Sequence, residues 1–197
     1  VIYGIVDKPV FDPQSRINPF AHVNHRIDQT RLGLLLCING AGSQYAWVKK
    51  QIADIGSTYF DMEKMIEDIP IGSDGLRIIP FGNGAERVLC NKSLGSHIIN
   101  LQFNRHNKAH IYRASLEGIA FSFVYGFEIL KGLGLKPKTI KVGNDNLFQS
   151  AVFSKTIANL ISCEIEMVET TGAIGAAKGS GLGVGIYKDL AEAVKSN

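Results

Sequence analysis

The stretch TIKVGNDNLFQSAVFSKTIANLISCEIEMVET, residues 139–170, decides the fold class. It holds a short apolar run over 139–142, a polar loop, a helix-like run over 150–161 and a second apolar run over 163–168. Two short strands separated by a helix are expected to lie parallel, because a helical crossover returns the chain to its starting direction. A parallel pair covered by its crossover helix belongs to an α/β domain. The loop VGNDNLFQS opens at the carboxyl end of the first strand, where open α/β sheets bind ligands and helix N-termini carry free N–H donors. Gly143, Asn144, Asn146 and Ser150 in that loop are equally turn and cap residues, and both readings stay open on the residues alone.

Outward from this unit, strands are expected at 1–6, 21–24 and 32–39, separated by the turn chemistry of DKP and DPQSR. Residues 44–55 place Trp47, Val48, Gln51, Ile52 and Ile55 at helical spacing. Residues 56–96 are irregular and read as an insertion, with a short helix at 61–68. The clearest helix covers 108–131, where Leu116, Ile119, Ala120, Phe123, Phe127 and Leu130 form one apolar stripe and Asn107 is placed to cap. A small-residue helix follows over 173–183, then a short polar helix over 188–195. This order predicts a single domain with a mixed sheet flanked by helices, antiparallel at its start and parallel at its end.

The 197 residues, 45% of them hydrophobic, suffice to bury one core. Lys and Arg number 21 against 18 Asp and Glu, spread without a basic run, which argues against a nucleic-acid surface. No run approaches the roughly 18 apolar residues of a membrane span, and no signal pattern opens the chain. Cys37, Cys90 and Cys163 are far apart and form no CxxC pair, so reduced thiols in a cytoplasmic protein are expected. The chain begins at Val1 with VIYGIV, strand-like from its first residue, so a piece of a longer protein is expected.

GSGLGVG at 179–185 looks like a dinucleotide fingerprint, but its glycines end a helix instead of opening one. They are expected to let that helix pack closely on a neighbour. His22 and His25, and His106 and His110, have spacings that could hold a metal; lacking a third ligand, they are assigned turn, cap and core roles, and no metal site is expected. No local Ser-His-Asp, Cys-His or paired-carboxylate arrangement stands out, and no GxxxxGK[ST] loop exists.

Taken together, several stretches resemble the C-terminal domain of the FGGY carbohydrate kinases. PFGNGAER at 80–87 resembles that family's GER segment, with Ala85 interrupting it. GSHIINLQFNRHNKAHIYRASLEGIAFS at 95–122 is similar to its stretch ending in RAxLEGIA, and TTGAIGAAKGSGLGVG at 170–185 to its closing GALGAA helix. The first fifty residues look most like the xylulokinases. The resemblance spans essentially the whole chain and implies a ribonuclease H-like, actin-like ATPase fold that uses ATP and Mg²⁺.

In that family GGGAxS carries adenosine, and here its place is taken by GNDNLFQS. The resemblance therefore implies that Gly143, Asn144 and Asn146 back the nucleotide, that Ser150 caps the following helix, and that Gly42 and Ser43 form the opposite wall. Glu86 and Arg87 are left as structural or cleft-organising. No catalytic residue is expected in this chain, since the family's sugar site, first phosphate loop and general base belong to an N-terminal domain absent from it. The parent would phosphorylate D-xylulose, with the isolated piece inactive. The alternatives are another FGGY kinase, for glycerol, ribulose, rhamnulose, fuculose or gluconate, and a non-catalytic actin-like nucleotide-binding module. Dimerisation is common in the family, which admits a homodimer, although the sequence identifies no interface.

Overall fold

The run LGLLL at 32–36 is apolar on both faces, and a strand of that kind needs cover on both sides. In the computed structural model, which describes residues 1–195, it is the middle strand of an antiparallel sheet. The three strands are β1 (Ile2–Val6), β2 (Asn18–Ala21) and β3 (Leu32–Leu36), in the order β1-β3-β2. Leu34 and Leu36 are fully buried. β2 lies three residues before its expected position and contains Pro19, which lacks an N–H and is tolerated because β2 is an edge. The loop after it uses His22 and His25 as turn residues: their Nδ1 atoms accept from the N–H groups of Asn24 and Arg31, each at 3.1 Å.

Helix α1 (Ala41–Gln51) follows, then α2 (Tyr59–Met65). α2 starts two residues before its expected position because Thr58 and Asp61 form a reciprocal capping box. Two three-residue strands, β4 (Arg77–Ile79) and β5 (His97–Ile99), pair antiparallel. Residues 56–96, read from sequence as an insertion, contribute Met62, Ile66, Ala85 and Val88 to the main core.

The spine of the molecule is α3 (Lys108–Gly132), whose apolar stripe is buried from Leu116 to Leu130. Asn107 caps it as expected: its Oδ1 accepts from the N–H of Ala109 at 3.0 Å, and His110 Nδ1 accepts from the N–H of Asn107 at 3.2 Å. β4 packs onto this helix at Gly118, where a Cβ would stand 1.9 Å from the carbonyl oxygen of Ile78. Only glycine admits so close an approach.

The quoted stretch folds as anticipated. β6 (Thr139–Gly143) and β7 (Glu164–Val168) pair in parallel, from Thr139 opposite Glu164 to Gly143 opposite Val168, and α4 (Ala151–Ile161) connects them. The antiparallel start and the parallel finish are thus both present, as separate hydrogen-bonded sheets. β1 and β6 line a cleft of about 950 Å³ between them.

The chain closes with α5 (Gly172–Gly183) and α6 (Leu190–Lys195). Here the expectation of close packing holds at one glycine of the helix. A Cβ at buried Gly181 would stand 2.8 Å from the Tyr187 ring, whereas a Cβ at Gly172, Gly175, Gly179 or Gly183 would meet nothing within 4 Å. The three cysteines are free thiols, and no helix of the described residues is long and apolar enough to cross a membrane.

Candidate functional site

At the carboxyl end of β6 the chain turns through a 3-10 segment, Asn146–Gln149, before entering α4. Asn146 takes φ 51° there, a left-handed conformation that asparagine tolerates better than most residues. Phe148 and Phe153 anchor the turn from below, with ring centroids 5.2 Å apart, and Phe153 meets Phe123 of α3 edge to face at 5.8 Å.

Above this turn lies a cavity of about 470 Å³, lined on one side by Asn146, Leu147, Gln149 and Ser150, and on the other by Gly42, Tyr45, Tyr59, Phe60 and Glu63. The volume falls in the range of small-molecule sites, and the mix of aromatic surface with a few polar groups is that of a site for a flat, partly polar ligand. Tyr45 and Tyr59 stack with centroids 5.5 Å apart and an interplanar angle of 20°, and Lys49 Nζ lies 5.1 Å above the Tyr59 ring. Tyr59 and Phe60 leave ring area open to solvent.

Glu63 lines the cavity and links α2 to the start of α4. Its carboxylate accepts from Ser150 Oγ, 2.8 Å from Oε2, and from the N–H of Val152 at 3.1 Å. Ser150 Oγ itself accepts from the N–H of Phe153 at 3.1 Å, the cap anticipated from sequence. The first-turn donors of α4 are therefore engaged by a carboxylate and a hydroxyl, and a helix N-terminus favours such an anion. A phosphate at that point would have to displace Glu63, so the arrangement suits a neutral ring.

The sequence-predicted residues divide in two. Gly42, Asn146 and Ser150 meet around this cavity although more than a hundred residues separate the first from the others. Ser43 faces away from it: it lines a second cleft of about 520 Å³, where its Oγ accepts from Asn83 Nδ2 at 2.9 Å. Gly143 and Asn144 sit at the strand end beside the cavity. Asn144 is tied to the turn after β7, donating its N–H to the Val168 carbonyl at 3.0 Å and its Nδ2 to Glu169 Oε1 at 2.6 Å. A Cβ on Gly143 would lie 2.9 Å from the Thr170 carbonyl oxygen, so its smallness serves the approach of the two strand-end loops. Arg87 donates to Asn18 Oδ1 and ties the GAER segment to β2.

Tyr45, Tyr59, Phe60 and Glu63 escaped the sequence reading. The T-x-x-D spacing of Thr58 and Asp61 marked the start of α2 and would have placed the aromatic pair in its first turn. Nothing local could have joined Glu63 to Ser150, 87 positions away.

Compared with known proteins, residues 3–179 match the model of the FGGY family of carbohydrate kinases, C-terminal domain. The chain belongs to that family. Among curated relatives, this FGGY domain is 28% identical over 159 residues to a xylulose kinase of Bacillus subtilis, covering 77% of this chain and 30% of the relative. Among solved structures, it superposes on a ligand-bound xylulose kinase from Lactobacillus acidophilus with a TM-score of 0.77 at 24% identity, covering 98% of this chain and 38% of that one. A Plasmodium falciparum glycerol kinase with ADP gives 0.76 at 22%, covering 95% and 38%. The FGGY domain therefore spans roughly a third of each of these proteins. Its fold is the actin-like ATPase fold of the sugar kinases.

Proposed function

We propose that this FGGY domain holds the adenosine of ATP for a sugar kinase that phosphorylates D-xylulose to D-xylulose 5-phosphate. The observation that carries the nucleotide reading is the cavity at the end of β6, where Gly42 of α1 and the Asn146–Ser150 turn face each other across a gap lined by Tyr59 and Phe60. Base stacking on exposed aromatic rings is a general source of affinity that water cannot supply. The D-xylulose reading is supported by likeness to xylulose kinases in both sequence and fold.

The residues present fit the base end of ATP. Mg²⁺ would come with the phosphates, since that ion is commonly held by one or two carboxylates and the substrate's own phosphates, and among the described residues no group of three or more His, Cys, Asp or Glu is gathered to hold a cation without them. The domain's part is then to fix the base, turn the phosphates toward a facing domain and exclude water from the closed cleft. Phosphoryl transfer depends on such positioning for most of its rate. The localisation that accords with a sugar kinase and free thiols is cytoplasmic, and the molecules it meets are ATP and a small sugar.

The test is ADP release by the full-length protein with MgATP and a panel of D-xylulose, L-ribulose, L-rhamnulose, L-fuculose, gluconate and glycerol. A dominant D-xylulose rate is expected. Preference for another acceptor would remove D-xylulose and keep the kinase; activity with none would favour a non-catalytic nucleotide-binding module.

A further inference from the structure

The first turn of α4 is capped from two sources. Ser150 Oγ accepts from the N–H of Phe153 at 3.1 Å, and the Glu63 carboxylate accepts from the N–H of Val152 at 3.1 Å. The second acceptor belongs to α2, 89 positions earlier in the chain. Glu63 also accepts from Ser150 Oγ, which lies 3.0 Å from Oε1 and 2.8 Å from Oε2. One carboxylate therefore holds the cap residue and a first-turn donor of α4 together, with the sign of charge that a helix N-terminus favours.

Both ends of this link are anchored. α2 begins at the Thr58–Asp61 capping box and buries Met62 and, one turn on, Ile66. α4 buries Phe153 and Ile157 in the same core. Before α4 stands the Asn146–Gln149 turn, none of whose four residues is fully buried. Its own bonds are local, from the Ser150 N–H to the Leu147 carbonyl at 3.0 Å and from Ser154 Oγ to the Phe148 carbonyl at 2.9 Å. A segment held by few buried contacts opens more readily than the helices beside it. Glu63 ties that segment to α2, and so joins the two walls of the cavity.

Resting on the nucleotide reading above, we infer that Glu63 is a positioning residue for the nucleotide. It acts through Ser150 and Val152, holding the 146–150 turn against α2 before the ligand arrives. A slot ordered in advance binds more tightly, because less freedom is lost on binding.

Removing the carboxylate releases Ser150 and Val152 at once. In Glu63→Ala the Kd for MgADP is expected to rise about tenfold. Glu63→Gln keeps one carbonyl acceptor, and its Kd is expected to rise about threefold. In both variants the Val152 amide of the unliganded protein exchanges its hydrogen faster, while amides in the middle of α3 exchange as in the wild type. A role in global stability alone would lower the melting temperature and leave the Kd, measured well below that temperature, unmoved.

The experiment titrates MgADP, which carries the adenosine and is not turned over, into the full-length wild type, Glu63→Gln, Glu63→Ala, Ser150→Ala and the double variant Glu63→Ala with Ser150→Ala. Because residues acting as one unit are not additive, the double variant is expected to raise the Kd by less than the product of the two single effects. Effects that multiply in full would mean that Glu63 acts on the nucleotide independently of Ser150, which overturns the assignment. A wild type that binds MgADP, with Kd or Val152 exchange unmoved in the Glu63 variants, overturns it too. A wild type that binds no MgADP overturns the nucleotide reading and this assignment with it. Should Glu63→Ala fail to fold, the Kd and Val152 exchange of Glu63→Gln decide by themselves.

Discussion

At the scale of single residues, two buried charges carry unequal weight. Glu117 on α3 accepts from Arg113 Nε at 2.9 Å, from the N–H of Gly72 at 3.0 Å and from Ser73 Oγ at 3.1 Å, while Arg113 also donates to the Ile66 carbonyl. Both side chains are nearly closed to solvent, at 10% and 5% exposure. Removing one partner strands the other charge, which costs about 3–5 kcal/mol, whereas removing both costs far less. Glu117→Ala should therefore shift the urea midpoint sharply downward, and Arg113→Met with Glu117→Leu should recover most of the loss; equal losses in the two proteins would refute this.

Asp12 behaves differently, since its role depends on pH. The Arg16 guanidinium donates to it at 2.9 and 3.0 Å and lowers its carboxyl to about 2. A depressed folded pKa gives stability that is complete above the unfolded value near pH 4 and vanishes as pH falls through about 2. The contribution is about 2 kcal/mol at neutral pH. Asp12→Asn should be less stable than wild type at pH 6 and should converge on it by pH 2, and a gap independent of pH would sink the idea. Residues of this kind were legible from sequence only where the interaction is local. Ser150 and Asn107 were read as caps because a cap reaches only two or three residues forward. Glu63 was not, because its contact with Ser150 joins chain segments 87 positions apart.

At the scale of elements, length and periodicity governed what could be read. α3 and the β6–α4–β7 unit were visible because each repeats its pattern over enough residues to outweigh chance. β4 and β5, three residues each, carry no periodic signal, and they exist because β4 lies along α3 at Gly118. That dependence is testable. Gly118→Ala would set a methyl group 1.9 Å from the Ile78 carbonyl, which the backbone of β4 can relieve only by moving away. The expected cost is about 1–3 kcal/mol despite the gain in helix propensity, which alone would stabilise by up to about 1 kcal/mol. Denaturation of the variant reads the sign directly, and a stabilised Gly118→Ala would mean that β4 does not pack there.

For the whole molecule, one core joins the antiparallel sheet, α1, α2, α3 and α4, and it places the cavity on the rim where α1, α2 and the start of α4 converge. On the function proposed above, that rim supplies a base site and little else. Phosphoryl transfer needs the acceptor hydroxyl, the phosphates and a proton acceptor held within bonding reach of one another, and orientation of that order is what raises the rate. A domain that grips only the adenosine leaves the phosphates unheld, so each missing 1.4 kcal/mol of contact weakens binding tenfold and no sugar is aligned for attack. The 197-residue chain alone should therefore bind MgATP weakly and release no ADP when D-xylulose is added, while the full-length protein, assayed in parallel at equal concentration, releases it steadily. Sugar-dependent ADP formation by the chain alone would show instead that a sugar site and a general base lie within these residues, and would place the catalytic centre on this domain.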